Sequence, residues 1–339
     1  MSARRIGLRL LGAVLATLLL LAGLAAWLAW RWLDQPLPVK QATVELSVES
    51  GATPREIAQR WVAAGVDVPA EWLFQWFRWS GDARRIRAGS YAIDDNTTPR
   101  ALLQKMVQGD ETMEQVRLIE GWTLRQWREA LAKAPHLKPS TATMSEAELM
   151  AALGAPGVAA EGRFFPDTYR YGRGVSDLTV LRRAQAQMQR KLQQAWEARA
   201  AGLPLKSPDE VLILASIVEK ETGRAADRGL VAGVFINRLR IDMPLQTDPT
   251  VIYGLGAAFD GNLRKRDLQA DTPFNTYTRR GLPPTPIAMP GEDSLLAAVQ
   301  PQTTRALYFV ARGDGSSVFS ENLADHNRAV NTYQRRGNP

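Results

Sequence analysis

The chain has 339 residues, enough for two folded domains beside a terminal segment, and 45% of them are apolar, enough for sizeable cores. It has no cysteine, which excludes thiolate nucleophiles, disulfides and Cys-based zinc or iron–sulfur sites, and its two histidines, His136 and His326, make a His-rich metal site unexpected. Of the net charge of +7, +4 lies in the first forty residues, where Arg4, Arg5, Arg9, Arg31 and Lys40 face Asp34 alone; the remaining +3 includes no basic stripe interleaved with aromatics, so nucleic acid is not an expected partner.

Leu10 to Trp30 is a run of 21 residues without a charge, about 31 Å long as a helix and thus the thickness of a bilayer core. It reads as a transmembrane helix. Arg4, Arg5 and Arg9 precede it, so residues 1–9 are expected in the cytoplasm and everything after the span outside, in a single-pass inner-membrane topology. Trp27, Trp30 and Trp32 fall where the outer interface would be. A cleaved signal peptide fits less well, because the run is too long and bulky tryptophans stand where small residues should mark a cleavage site. Residues 31–42, with Pro36 and Pro38, read as a linker.

Residues 43–112 show a mixed pattern. A strand is predicted at Thr43 to Val48, helices at Pro54 to Ala64 and Glu71 to Trp79, a strand from Arg84 to Ile93, and a helix from Thr98 to Val107. Trp72, Trp76 and Trp79 recur at helical spacing, which predicts the core of a small domain in preference to a sugar-stacking platform.

From 113 to 339 the pattern predicts a strand at Val116 to Ile119 and helices at Glu120 to Ala132, Glu146 to Ala152 and Leu178 to Ala201. The aromatic block Arg163 to Tyr171 suits packing at least as well as binding. Ser207-Pro-Asp-Glu then opens a helix, with Ser207 as N-cap and acids in the first turn, running to about Thr222. This helix carries Leu-Ile-Leu-Ala-Ser-Ile-Val straight into Glu219-Lys220-Glu221. A carboxyl at the end of an apolar helix is held toward its neutral form by desolvation, which suits a proton donor. Glu219 and Glu221, two positions apart, project to opposite sides, and periodicity does not choose between them. Ser216 and Lys220, one turn apart, are a weaker candidate pair for a nucleophile and its base, since the spacing departs from Ser-x-x-Lys and no Lys-Thr-Gly accompanies it.

Downstream, Gln246-Thr-Asp-Pro-Thr places an amide, hydroxyls and a carboxylate on what Pro244 and Pro249 predict to be a tight loop rather than a helix. Asn275 and Tyr277 precede a Pro-rich loop, Gly281 to Pro290, read as rigid, polar and cleft-lining. A strand is predicted at Ala306 to Val310, and His326 defaults to a surface or capping role.

The ordered blocks Leu212 to Gly223, Val231 to Leu239, Met243 to Gly254, Asn275-Thr-Tyr and Gly281 to Gly291 resemble the catalytic core of the YceG-like (MltG) family, membrane-anchored endolytic murein transglycosylases. Glu161-Gly-Arg-Phe-Phe-Pro-Asp-Thr-Tyr and Ile86-Arg-Ala-Gly-Ser-Tyr extend the resemblance toward the N-terminus. It implies an α+β fold in which residues 43–112 form a LysM-like subdomain and 113–339 a catalytic domain facing the periplasm. It selects Glu219 as the catalytic acid, with Gln246, Thr247, Asp248, Thr250, Asn275 and Tyr277 as substrate-binding residues, peptidoglycan glycan strands as partner, and peptidoglycan synthases of the elongation or division machinery as further partners. One acid then suffices, because the C6 hydroxyl of the substrate's N-acetylmuramic acid is the attacking group. The competing expectations are a hydrolase pairing Glu219 with Asp248, and a non-catalytic wall-binding scaffold.

Overall fold

The computed structural model describes residues 3–335, so the first two residues of the expected tail and the last four of the expected catalytic domain lie outside it. The chain divides into two compact units, Met1–Glu114 and Gln115–Pro339.

The first unit opens with helix α1 (Ala3–Leu33), in which Val14–Leu33 is apolar and long enough to cross a membrane; its residues are exposed up to Arg31, and Trp32 and Leu33 are half-buried against the unit. Strand β1 (Thr43–Val48) follows, then α2 (Pro54–Ala64), α3 (Ala70–Trp79), β2 (Gly89–Asp94) and α4 (Pro99–Gln108). β1 and β2 pair antiparallel from Thr43 opposite Asp94 to Val48 opposite Gly89, and alternate residues of the ribbon, Val44, Val48, Tyr91 and Ile93, turn into a core with Trp61, Leu73, Phe77, Leu102 and Met106. The helix starts follow from their sequences: Thr53 makes a capping box with Glu56, Thr98 accepts from the Ala101 N–H, and both are followed by proline in the first turn. β2 begins later than predicted, because the Arg87 N–H donates to the Met106 carbonyl instead of to β1. The tryptophan row on α3 is also placed differently. Leu73 and Phe77 are the buried residues of that helix, whereas Trp76 is half-buried and Trp72 and Trp79 are exposed; the core stripe is offset by one position from the tryptophans.

The second unit holds β3 (Met113–Leu118), α5 (Leu124–Lys133), α6 (Glu146–Ala152), β4 (Asp167–Gly172), α7 (Asp177–Glu197), α8 (Pro208–Glu221), α9 (Ala225–Arg240), α10 (Asp248–Leu255), α11 (Lys265–Gln269), α12 (Glu292–Val299), β5 (Tyr308–Ala311), β6 (Ser317–Ser320) and α13 (Leu323–Val330). Its strands form two-stranded ribbons, β3 with β4 and β5 with β6, and the chain as a whole is α+β. One core gathers Trp127, Phe164, Tyr169 and Tyr171, so the aromatic block packs. The other surrounds α8, whose Val211 to Val218 are all buried against α7, α9 and α12. α5 starts at Leu124, four residues after the expected Glu120, because Thr123 and Gln126 form its capping box while the Gly121 N–H is spent on the Met289 carbonyl.

Helix α9 has no sequence counterpart above. Its segment Val231 to Ile236 is buried on every face, which removes the polar–apolar alternation a helix reading relies on. Gly233 makes that burial possible, since a Cβ there would lie 2.6 Å from the Gln302 carbonyl oxygen and 2.9 Å from the Thr304 methyl carbon.

Candidate active site

α8 is built as its sequence predicts: Ser207 Oγ accepts from the Glu210 N–H, Pro208 sits in the first turn, and the helix ends where Thr222 turns extended. Its last residues carry the two acids, and their opposite directions give them different surroundings.

Glu221 lines a cleft of about 610 Å³ together with Arg238, Gln246, Asp248, Tyr277, Tyr308 and His326. Burial pushes its carboxyl up to about 7; a bond from the Thr247 hydroxyl opposes that push, and the nearby Asp248 charge adds to it. A carboxylic acid poised near neutrality can both give and take a proton at physiological pH. Asp248 is exposed, and its carboxylate accepts from the Tyr277 hydroxyl at 2.5 Å. Burial, followed by that bond to Asp248, raises the Tyr277 phenol and keeps it a donor. Arg238, brought in by α9, is buried and donates to the Leu307 and Leu245 carbonyls at 2.7 Å each, with its guanidinium 5.2 Å from the Tyr308 ring centroid. Tyr308 in turn stacks on His326 with centroids 5.1 Å apart. The cleft therefore sets one raised acid among a fixed carboxylate, a cation and an aromatic wall.

Glu219 faces elsewhere. Its Oε2 accepts from the Gly291 N–H at 3.0 Å and the Ser294 hydroxyl at 2.6 Å, so it acts as a carboxylate cap on the N-terminus of α12. Glu120 is beside it, its carboxyl raised by burial and then by the Glu219 charge. A Cβ on Gly291 would lie 2.3 Å from Glu120 Oε2 and 3.6 Å from Glu219 Oε2, so a larger residue there would push the Glu120 carboxyl aside. A separation of two on the helix sets the two half-buried acids in different surroundings, Glu219 beside Glu120 and the start of α12, Glu221 in the cleft with Gln246, Asp248 and Tyr277.

The other expected binding residues separate into two groups. Gln246, Asp248 and Tyr277 reach the cleft. Thr247 is buried and supports Glu221, Thr250 is buried and donates to the Thr247 carbonyl at 2.8 Å, and Asn275 is buried with its amide nitrogen given to the carbonyls of Asp267, Leu268 and Ala270. These last hold the loops rather than line the cleft. Asp248 and Thr250 also lie in the first turn of α10, not in a loop, because proline at a helix start lacks only an N–H that the first turn leaves unbonded. The Gly281 to Pro290 loop buries Ile287, Ala288 and Met289 against α8 and the 121–122 turn and does not line the cleft. Ser216 is fully buried, donating to the Ile213 carbonyl and accepting from the Ile287 N–H, while Lys220 donates to the Gly121 carbonyl; they make no nucleophile–base pair. Arg238 and the Tyr308–His326 stack are the cleft residues that sequence reasoning missed. An arginine closing the apolar run of α9 was the available signal for the first.

The sequence matches the model of the YceG-like family over residues 46–332. The chain belongs to the YceG-like family. It is 31% identical over 310 residues to a Bacillus subtilis (strain 168) protein named endolytic murein transglycosylase, across 86% of this chain and 85% of that one. A Streptococcus pneumoniae serotype 2 protein of the same name is 28% identical over 335 residues, and there the match covers 88% of this chain but 60% of the relative. The crystal structure of a YceG-like protein from Listeria monocytogenes superposes with a TM-score of 0.53 at 28% identity, over 85% of this chain and 98% of that one.

Proposed function

We propose that this YceG-like chain is an endolytic murein transglycosylase, with Glu221 as its general acid and base. The observation that carries the residue assignment is the position of Glu221: half-buried, raised to about 7, and in one cleft with Gln246, Asp248 and Tyr277. The transglycosylase activity itself rests on the relatives' names and the extent of the match.

Protonated Glu221 gives its proton to the glycosidic oxygen between N-acetylmuramic acid and N-acetylglucosamine, and the C1–O bond breaks as positive charge builds on the sugar. The resulting carboxylate takes the proton from the C6 hydroxyl of the same muramic acid as its oxygen bonds to C1. The product is a 1,6-anhydro end, and Glu221 is again protonated. Thr247 orients the carboxyl, Asp248 and Gln246 supply acceptors and donors for the sugar's substituents, and the apolar face of the Tyr308–His326 stack suits a pyranose ring. The negative Asp248 beside the sugar also favours the oxocarbenium-like transition state.

Because Asp248 is a second carboxylate in the same cleft, hydrolysis remains the competing chemistry, with Asp248 activating water or attacking C1. Mass spectrometry of products from purified sacculi separates the two. Anhydro ends, one water lighter and resistant to borohydride, support transglycosylation, and reducible ends as the main product refute it.

Helix α1 fits a single membrane anchor, and the basic flank before it supports an N-terminus in the cytoplasm and a catalytic unit in the periplasm. The strand–helix–helix–strand order of β1, α2, α3 and β2 supports a LysM-like module between anchor and catalytic unit. A periplasm-only reporter fused after Pro339 is expected to be active.

A further inference from the structure

Within the first unit, α1 and α3 enclose an apolar groove of about 660 Å³. One wall is Ala25, Ala29 and Trp32 of α1, the other Trp72, Trp76 and Trp79 of α3, and Gln75 is the one polar side chain among the described residues that line it. Trp72 is 55% exposed and Trp79 74%, although both are large aromatics on a folded helix. The Trp32 and Trp72 rings meet edge to face at 5.7 Å, which ties the α3 row to the end of α1. Exposed aromatic surface on this scale needs an occupant, since water is a poor neighbour for it.

We propose that α3 lies in the lipid interface of the leaflet from which α1 emerges, with acyl chains filling the groove and Trp72, Trp76 and Trp79 at headgroup depth. The inference rests on reading α1 as the membrane anchor, and its argument is one of length. Ala25 lies eight residues before Leu33, about 12 Å along the helix. If the bilayer ended below Ala25, the uncharged run would be only Leu10 to Leu24, fifteen residues and about 22 Å, short of the ~30 Å a hydrocarbon core requires. The span must therefore include the α1 wall of the groove, and the facing α3 wall sits at the same depth.

The side chains suit that depth. Tryptophan, with an apolar body and one N–H, concentrates at membrane interfaces, and here the Trp76 N–H is already satisfied by the Pro99 carbonyl at 3.0 Å. Arg31, 5.5 Å from the Trp27 ring centroid, and exposed Arg78, between Trp76 and Trp79, bring positive charge to where lipid phosphates lie. A sugar platform would instead carry polar groups along its floor to bond hydroxyls, and among the described lining residues only Gln75 could do so, the flanking arginines matching phosphate better than a neutral sugar. The α3 face thus holds the small module on the membrane instead of offering it to glycan.

The absence of cysteine makes the test direct. Single variants Trp72→Cys, Trp79→Cys, Leu20→Cys and Asp95→Cys of the full chain, nitroxide-labelled and reconstituted in vesicles of phosphatidylethanolamine and phosphatidylglycerol, are compared by their accessibility to oxygen and to a water-soluble nickel chelate. Position 20 reports the span and position 95 the solvent. Labels at 72 and 79 are expected to shift toward oxygen, as at 20, and away from the nickel accessibility of 95. If 79 behaves like 95 while 20 is in lipid, the proposal fails and the anchor stands. If 20 is aqueous as well, both fall. Shielding of 79 from nickel by soluble N-acetylglucosamine oligomers in the absence of lipid would assign the face to sugar and overturn the proposal. Trp79 is exposed enough that its replacement leaves the core of the unit untouched.

Discussion

Glu221→Gln is the most informative single change, because it should move activity and stability in opposite directions. The Glu221 carboxyl is raised from 4.5 to about 7, chiefly by burial. Ionising it in the folded protein therefore costs up to about 3 kcal/mol relative to the unfolded chain. The stability this group contributes is fully present below its unfolded value of 4.5 and is lost as pH rises through 7. Glutamine stays neutral and its Oε1 can still accept from Thr247, so the variant should match wild type near pH 4 and exceed it by about 1–3 kcal/mol near pH 8. Turnover should nevertheless drop by roughly 10²–10⁴, since the amide cannot transfer the proton. Wild-type kcat should fall above about pH 7 as the acid form is lost. Thermal unfolding at both pH values, with product release from sacculi, measures all of this. Glu219→Gln is the control: it weakens the cap on α12 and should cost about 1–2 kcal/mol while leaving activity per folded molecule near wild type. An inactive Glu219→Gln with unchanged unfolding, beside an active Glu221→Gln, would refute the reassignment.

Asp248→Asn keeps an acceptor for the Tyr277 hydroxyl but removes the charge that helps raise Glu221, so the alkaline limb of the pH–rate profile should move to lower pH while anhydro products persist. A loss as large as that of Glu221→Gln would favour the hydrolase. Glu161, 5% exposed and raised to about 7 by burial, accepts from the Leu124 N–H at the start of α5. By the same sign argument, Glu161→Gln should leave stability unchanged near pH 4 and add about 1–3 kcal/mol near pH 8, read by chemical denaturation. Gly233→Ala should destabilise by about 1–3 kcal/mol despite the better helix propensity of alanine, because the new Cβ would meet the Gln302 carbonyl; a higher melting temperature would show that the 302–304 segment yields.

Local sequence was sufficient wherever a signal acts within a few residues. The Ser207 cap and Pro208 start α8 where they should, the β1 and α2 bounds are those of the alternation and of the Thr53 box, and the uncharged run from Leu10 lies within one long helix. The order of motifs from Leu212 to Gly291 was enough to assign the family. What lies between elements needed the tertiary structure. α9 was illegible because burial on all faces erases periodicity, and with it went Arg238. Pro249 looked like a helix breaker and is a helix opener, a distinction made by where α10 starts and not by the residue. The choice between Glu219 and Glu221 could not be made from the helix alone, since both are carboxylates at the same helix end. What packs on each side gives the two half-buried acids different surroundings: Gly291 and Ser294 of α12 bond to Glu219, while Gln246, Thr247 and the first turn of α10 border the cleft that holds the raised Glu221, and the activities of the two Gln variants choose between them.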